Sequence, residues 1–349
     1  MKLQNDLFLK ACKRQPIERT PIWIMRQAGR YLPEYRAIRA KTDFLTLCKT
    51  PELAAEVTIQ PVDIIGVDAA IIFSDILVIP EAMGMELIVE EGKGGPQFPS
   101  PVRSTSEINK LAIPDPYDKL KYVMDALSLT KQNLEGRVPL IGFSGSPWTL
   151  ATYMVEGRGK QEFKIITELI NERPKDAHKL LDKLARSAAD YLSAQIESGA
   201  NAVQIFDTWG GILPQEQFEE FSLRYIEQII ASIKRKDEPV IVFCKDCGHA
   251  LEAIANTGCD VVGLDWTVDI GEARKLIGNK VALQGNMNPH KLYEDEEKIR
   301  EEAKSILEKF SKGSGHVFNL GHGILPDVPV AHAKALVDAV KEESVKYHK

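Results

Sequence analysis

Arg26 and Arg30 stand four residues apart in Met25-Arg26-Gln27-Ala28-Gly29-Arg30-Tyr31-Leu32-Pro33, directly after the apolar run Ile22-Trp23-Ile24. Two guanidiniums present rigid forks of N–H donors that match carboxylates or phosphates in two-point contacts. With a glycine between them and a proline after them, at the end of a predicted strand, they read as an anion clamp. A pair of solvated surface arginines is the plainer reading. It accounts neither for Gly29 nor for an apolar strand leading straight into the pair.

Asp75 follows Ile71-Ile72-Phe73-Ser74, where an apolar wall meets solvent. A carboxylate there either rises in pKa or keeps its charge against a cation. It can also cap the segment that begins at Ile76, as Ser74 can. His322 lies between Gly321 and Gly323, so neither neighbour adds bulk that would hold a ligand away. Tyr153 and Thr208 carry hydroxyls able to donate to a carboxylate, and either serves equally well as half-buried scaffold.

Cys244-Lys245-Asp246-Cys247-Gly248-His249 offers a C-x-x-C pair followed by histidine, a pattern able to hold zinc or cycle between thiols and disulfide. No second pair stands at finger spacing, and Cys259 sits in a turn before another apolar run, which favours a structural role. The five cysteines are an odd count in a chain without a secretion signal, which opposes a disulfide framework.

What must position these residues is a recurrent pattern of short apolar runs separated by long helical stretches. The predicted strands are 22–25, 69–73, 139–143, 202–206, 239–244, 260–264, 281–283 and 316–319, and the predicted helices are 174–198, 215–236, 250–256, 269–276, 294–310 and 330–345. Strands that are continuously apolar and followed by helices imply a parallel sheet with both faces covered. Eight such units predict a single (β/α)₈ TIM barrel spanning 1–349, with 85–102 as a hairpin or flap inserted after strand two and its turn at 91–96. A doubly wound sheet in two domains is the alternative, and no linker divides the chain to support it. In such a barrel the site forms at the C-terminal strand ends, which is where Arg26, Arg30, Asp75, Thr208 and His322 fall.

Composition narrows the partners. A chain of 349 residues with 44% hydrophobic content buries a large core, and its net charge of −6 without a basic face argues against nucleic acid. Residues 1–15 are too interrupted by lysines for a secretion signal, and the apolar region 64–80 is broken by Asp68 and Asp75. A cytoplasmic enzyme acting on a small anion is expected, with no membrane partner.

Together, the arginine motif, Phe73-Ser74-Asp75, Gly142-Phe143-Ser144-Gly145-Ser146-Pro147-Trp148-Thr149-Leu150 with Thr152-Tyr153-Met154, Ile205-Phe206-Asp207-Thr208-Trp209 and Asn319-Leu320-Gly321-His322-Gly323 resemble the uroporphyrinogen decarboxylase family almost end to end. The resemblance implies an enzyme of haem biosynthesis that needs no cofactor and no metal. Such an enzyme removes CO₂ from the four acetate side chains of uroporphyrinogen III to give coproporphyrinogen III. It implies single barrels paired as homodimers with facing clefts. By matching position it places Arg26, Gln27, Ala28, Gly29 and Arg30 on substrate carboxylates, Asp75 near the pyrrole N–H groups, and Tyr153, Thr208 and His322 in the pocket wall. Thr208 stands where many relatives carry serine, and the hydroxyl is kept. The proton donor stays open among Arg26, Arg30 and His322.

Two rivals follow. A zinc-dependent corrinoid methyltransferase of the same superfamily would use Cys244, Cys247 and His249, but Gly321-His322-Gly323 supplies no cysteine ligand. A carrier that binds porphyrinogens without transforming them needs only the arginines.

Overall fold

A strand buried on both faces needs no alternation of polar and apolar residues, and the runs found in this chain behave accordingly. The computed structural model describes residues 3–89, 95–159 and 162–349. Among these residues the strands are β1 (Ala70–Ile71), β2 (Ile88–Val89), β3 (Pro96–Gln97), β4 (Leu140–Gly145), β5 (Ala202–Asp207), β6 (Val240–Cys244), β7 (Val261–Gly263), β8 (Ala282–Gln284) and β9 (His316–Val317). Seven of them form one parallel sheet in the order β1-β4-β5-β6-β7-β8-β9, each beside its predecessor. Helices on the connections make this an α/β fold. In register, Phe206 of β5 faces Phe243 of β6, and Asp207 faces Cys244.

The run predicted as the first strand does not pair as a regular strand. Only Ile22 bridges, to Phe318, because successive N–H groups of this segment are taken by side chains as well as by backbone. Ile22 donates to Asp68 Oδ2 at 2.9 Å, Ile24 to Gln27 Oε1 at 3.0 Å and Met25 to Asn319 Oδ1 at 2.9 Å, while Trp23 donates to the Phe318 carbonyl at 3.3 Å. On the opposite side the Asp68 N–H reaches the Ile22 carbonyl at 2.7 Å. The sheet therefore curls until its first and last strands flank residues 22–24.

Asp68 anchors that junction. It is buried, takes both Arg19 guanidinium nitrogens at 2.8 and 2.6 Å, and accepts from Asn5 at 2.8 Å. Inside the sheet's curl a polar chain runs from Trp23 Nε1 to Gln284 Oε1 at 2.9 Å and from Gln284 Nε2 to Gln204 Oε1 at 3.1 Å. Toward the strand ends the lining turns aromatic. Phe143 and Phe206 meet edge-on at 5.7 Å between centroids, Phe206 and Phe243 at 6.1 Å, and the Phe243 ring lies 6.4 Å from that of His322.

β2 and β3 pair antiparallel, Ile88 opposite Gln97, within the segment predicted as a hairpin. Of its expected turn, residues 91–94 lie outside the described residues. The helices Pro174–Glu197, Leu251–Ala255, Ile270–Ile277, Glu296–Phe310 and Val330–Glu343 fall where they are predicted. The stretch predicted as one helix over 215–236 is instead Gln215–Phe218, a π-turn at Glu219–Leu223, and Arg224–Ser232. Apolar spacing runs on through the wider turn, so the sequence pattern conceals it. Among the described residues no helix is long and apolar enough to cross a membrane.

Candidate active site

Arg26 adopts a left-handed backbone conformation, φ +64°. The turn is pinned from both sides by the side-chain bonds of Gln27 and Asn319 described above. Gln27 is fully buried, and its amide bonds the Ile24 N–H and, through Nε2, the Ala69 carbonyl at 3.0 Å. Its side chain is thus a clasp between two segments. Ala28 and Gly29 remain partly exposed on the turn, and Arg26 and Arg30 are exposed. A Cβ on Gly29 would press on the Arg26 carbonyl, and one on Gly323 would overlap the Arg26 side-chain stem. Both glycines therefore keep room for one arginine.

Among the described residues neither the Arg26 nor the Arg30 side chain makes a hydrogen bond or an ion pair. Pro33 then opens the helix Pro33–Arg39, from which Arg36 donates to the Arg30 carbonyl at 2.7 Å and the Tyr31 carbonyl at 3.1 Å. Backbone around the clamp is held while its charges stay free, an arrangement that suits an anionic ligand.

Asp75 follows β1 and lies in a recess, partly open to solvent yet surrounded by protein. Burial raises its pKa, opposed by the Leu77 N–H that Oδ1 accepts at 2.7 Å and by the Arg26 charge. The capping reading is thus met by one oxygen, and Oδ2 has no partner among the described residues.

Tyr153 lies on the helix Pro147–Glu156, whose other residues are all buried. Burial raises its pKa, the Asp75 carboxylate adds to the rise, and Arg26 opposes it. Its ring lies 6.4 Å from Trp209, which packs at 4.8 Å on Phe163.

His322 sits against Phe243 and Trp266. Burial lowers its pKa to about 4, with Arg26 and Lys245 pushing the same way. Its ring is uncharged at neutral pH. His316, fully buried with Nε2 3.0 Å from the Gly285 carbonyl, is likewise lowered by burial to about 4.

The unfolded chain takes up protons on both histidines below about 6.5, whereas the fold refuses them down to about 4. Their contribution to stability is therefore lost as pH falls through that window. An NMR titration of His322 is expected to find a midpoint near 4, and an ordinary midpoint near 6.5 would contradict its placement between burial and two cations.

The Arg26 charge thus acts on Asp75, Tyr153 and His322, residues contributed by three different parts of the sheet. The Arg30 charge acts on Tyr35. Thr208 is half-buried at the end of β5 and makes no side-chain hydrogen bond among the described residues. The phenyl floor of Phe143, Phe206 and Phe243 was not singled out from the sequence, although a phenylalanine near the end of three successive apolar runs was a readable signal.

Cys244 and Cys247 are buried. Hydrogen bonding to Cys247 and burial push Cys244 well above the usual thiol range, and Cys247 Sγ lies 3.3 Å from the Lys245 carbonyl. His249 packs against Phe218 at 6.3 Å, and among the described residues no three His, Cys, Asp or Glu side chains are grouped to hold a metal.

Comparison with known proteins matches this geometry to a family. Residues 3–343 match the family described as Uroporphyrinogen decarboxylase (URO-D). Uroporphyrinogen decarboxylase of Chloroherpeton thalassium is 59% identical, covering 99% of both chains, and that of Chlorobium phaeovibrioides is 60% identical over 99% of this chain and 100% of the relative. Among solved structures a methyltransferase from Methanosarcina mazei superposes with a TM-score of 0.83 at 22% identity, covering 98% of this chain and 99% of that one. At that identity the likeness concerns the fold. With a family match along nearly its whole length and relatives at this identity, the chain belongs to the uroporphyrinogen decarboxylase family.

Proposed function

We propose that this chain is a carboxy-lyase of porphyrin and haem biosynthesis that converts uroporphyrinogen III to coproporphyrinogen III and four CO₂ without a cofactor. The observation that carries this reading at the site is the reach of the Arg26 charge to Asp75, Tyr153 and His322 above an aromatic floor. A cyclic tetrapyrrole with carboxylates at its edge and N–H donors at its centre matches that pattern of charge.

An acetate on a pyrrole loses CO₂ only if the bonding pair has somewhere to go. Protonation of the adjacent ring carbon makes an iminium-like nitrogen that accepts it. When CO₂ departs, the pair returns the ring to neutrality as an exocyclic methylene. A second proton completes the methyl group, and the ring carbon gives up the proton it first took, so that one proton is consumed for each CO₂ released. Asp75 faces the pyrrole N–H groups and stabilises the cation as it forms, an effect that grows as bound substrate excludes the remaining water. Arg26 and Arg30 hold carboxylates, and Tyr153 and Thr208 donate hydrogen bonds to them. The proton comes from Arg26, Arg30 or His322, acting directly or through water; burial and two nearby cations hold His322 uncharged until an anionic substrate arrives. Gln27, Ala28 and Gly29 shape the turn that aims the arginines.

The same reading makes the chain one (β/α)₈ barrel over 1–349. Its eighth strand is residues 22–24 between β9 and β1, and its flap is 85–102. It also makes the chain a cytoplasmic homodimer that binds no nucleic acid. The flanking of residues 22–24 by both sheet edges supports the barrel, and the β2–β3 pair supports the flap.

Anaerobic incubation with uroporphyrinogen III, followed by mass counting of carboxylates, tests the activity. Four-carboxylate product is expected, and unchanged eight-carboxylate substrate overturns the reading in favour of a carrier. Arg26→Lys keeps a charge but loses the two-point fork, so kcat/KM is expected to fall by about tenfold or more. Steady-state constants equal to those of the parent would remove Arg26 from the clamp. Arg30→Lys is expected to have the smaller effect, since Asp75, Tyr153 and His322 feel the Arg26 charge.

A further inference from the structure

The side of the recess carrying Tyr153 and Thr208 is organised by a carboxylate that lies beneath both. Asp207 ends β5 and is wholly buried. Its neighbours are hydroxyls. Ser146 Oγ and Thr149 Oγ1 each donate to Oδ1 at 2.8 Å, and Ser222 Oγ donates to Oδ2 at 2.5 Å. A buried carboxylate without a cation is costly unless hydrogen bonds replace its water, and three donors do so here.

These bonds tie three parts of the chain at one point. Ser146 is the N-cap of the helix Pro147–Glu156, accepting the Thr149 N–H at 3.0 Å, and that helix carries Tyr153. Thr149 Oγ1, while donating to Asp207, accepts the Trp209 N–H at 3.3 Å, and Trp148 Nε1 donates to the Trp209 carbonyl at 3.0 Å. Thr208 is thus held between Asp207 and a residue bonded from both sides.

Ser222 comes from the π-turn Glu219–Leu223, whose extra residue per turn shifts side-chain direction relative to a regular helix. Gly210 leaves the space the carboxylate needs, since a Cβ there would overlap Asp207 Oδ2. Among the described residues no hydrogen bond joins this knot to the arginine turn, which is held through Gln27 and Asn319.

We infer that Asp207 and Ser222 are positioning residues for the reaction, with the π-turn serving to deliver one hydroxyl that fixes Tyr153 and Thr208 relative to bound substrate. The inference rests on the reading that those two residues face the substrate. Because the clamp is anchored independently, loosening the knot should leave the arginines' hold on substrate intact, weaken binding only slightly through Tyr153 and Thr208, and chiefly disturb the reacting geometry.

The test compares Ser222→Ala, Ser222→Thr and Thr149→Val with the parent and with Asp75→Asn, in steady-state decarboxylation and by far-ultraviolet circular dichroism. For Ser222→Ala, kcat is expected to fall by about tenfold with KM within about twofold, and Ser222→Thr, which keeps the hydroxyl, to recover most of it. Thr149→Val removes a second donor from the same carboxylate and is expected to show the same split. It carries the test should Ser222→Ala not fold. Parental kcat in the folded variants overturns the inference, as does Ser222→Thr behaving like Ser222→Ala. If those variants are normal while Asp75→Asn is impaired, the positioning role fails alone. A normal Asp75→Asn instead places the failure in the site assignment.

Discussion

Asp75→Asn is expected to bind uroporphyrinogen and to turn it over at least about a hundredfold more slowly, the usual scale for removing one preorganised group that faces developing charge. The substitution is close to isosteric. The amide oxygen of asparagine can still accept the Leu77 N–H now held by Oδ1 at 2.7 Å, so the chain after β1 keeps its course. What disappears is the negative charge facing the recess, needed when a pyrrole becomes cationic. Near-parental product formation in a single-turnover assay would remove Asp75 from the mechanism. Because burial raises its pKa, the acid limb of kcat/KM is expected above the ordinary aspartate value of about 3.9 and should vanish in the variant.

The largest effect on stability is expected from Asp68→Ala. That carboxylate is 1% exposed and takes two Arg19 nitrogens, the Asn5 amide and the Ile22 N–H. Removing it strands a guanidinium that is only 17% exposed and orphans a buried N–H, losses that together cost about 3 kcal/mol or more. A fall in the urea midpoint without change in slope is the expected result. An unchanged midpoint would mean that water replaces the carboxylate at no cost. Since Ile22 leads into the clamp, the variant should also bind substrate more weakly, in contrast with Asp75→Asn.

Much of the architecture was legible because both-face burial writes itself into the sequence as continuous apolar runs. β4 through β8 begin and end within two residues of the runs 139–143 to 281–283. Residues 22–25 look like those runs, yet the Ile22 and Met25 N–H groups are taken by side chains far away in sequence, Asp68 and Asn319, partners that no local pattern reveals. The helix Pro147–Glu156 escaped for a related reason. Burial on nearly every side leaves it no polar face, and amphipathic spacing is the signal by which helices are read.

At the site, residue types and strand-end positions single out Arg26, Asp75 and His322 in the sequence, and in the fold the Arg26 charge acts on Asp75, His322 and Tyr153. The clasp formed by the Gln27 side chain was not legible, because it depends on the Ala69 carbonyl 42 positions away. The role of Asp207 was hidden likewise, since its donors lie 61, 58 and 15 positions off.

The left-handed conformation of Arg26 sets catalysis against durability. A side chain at φ +64° costs about 1 kcal/mol that glycine would not incur. On the proposed function, drift toward glycine at this position would relieve that strain and cost the enzyme its clamp. Among variants ranked by heat resistance alone, Arg26→Gly is therefore expected to stand no lower than substitutions that keep a side chain at this turn.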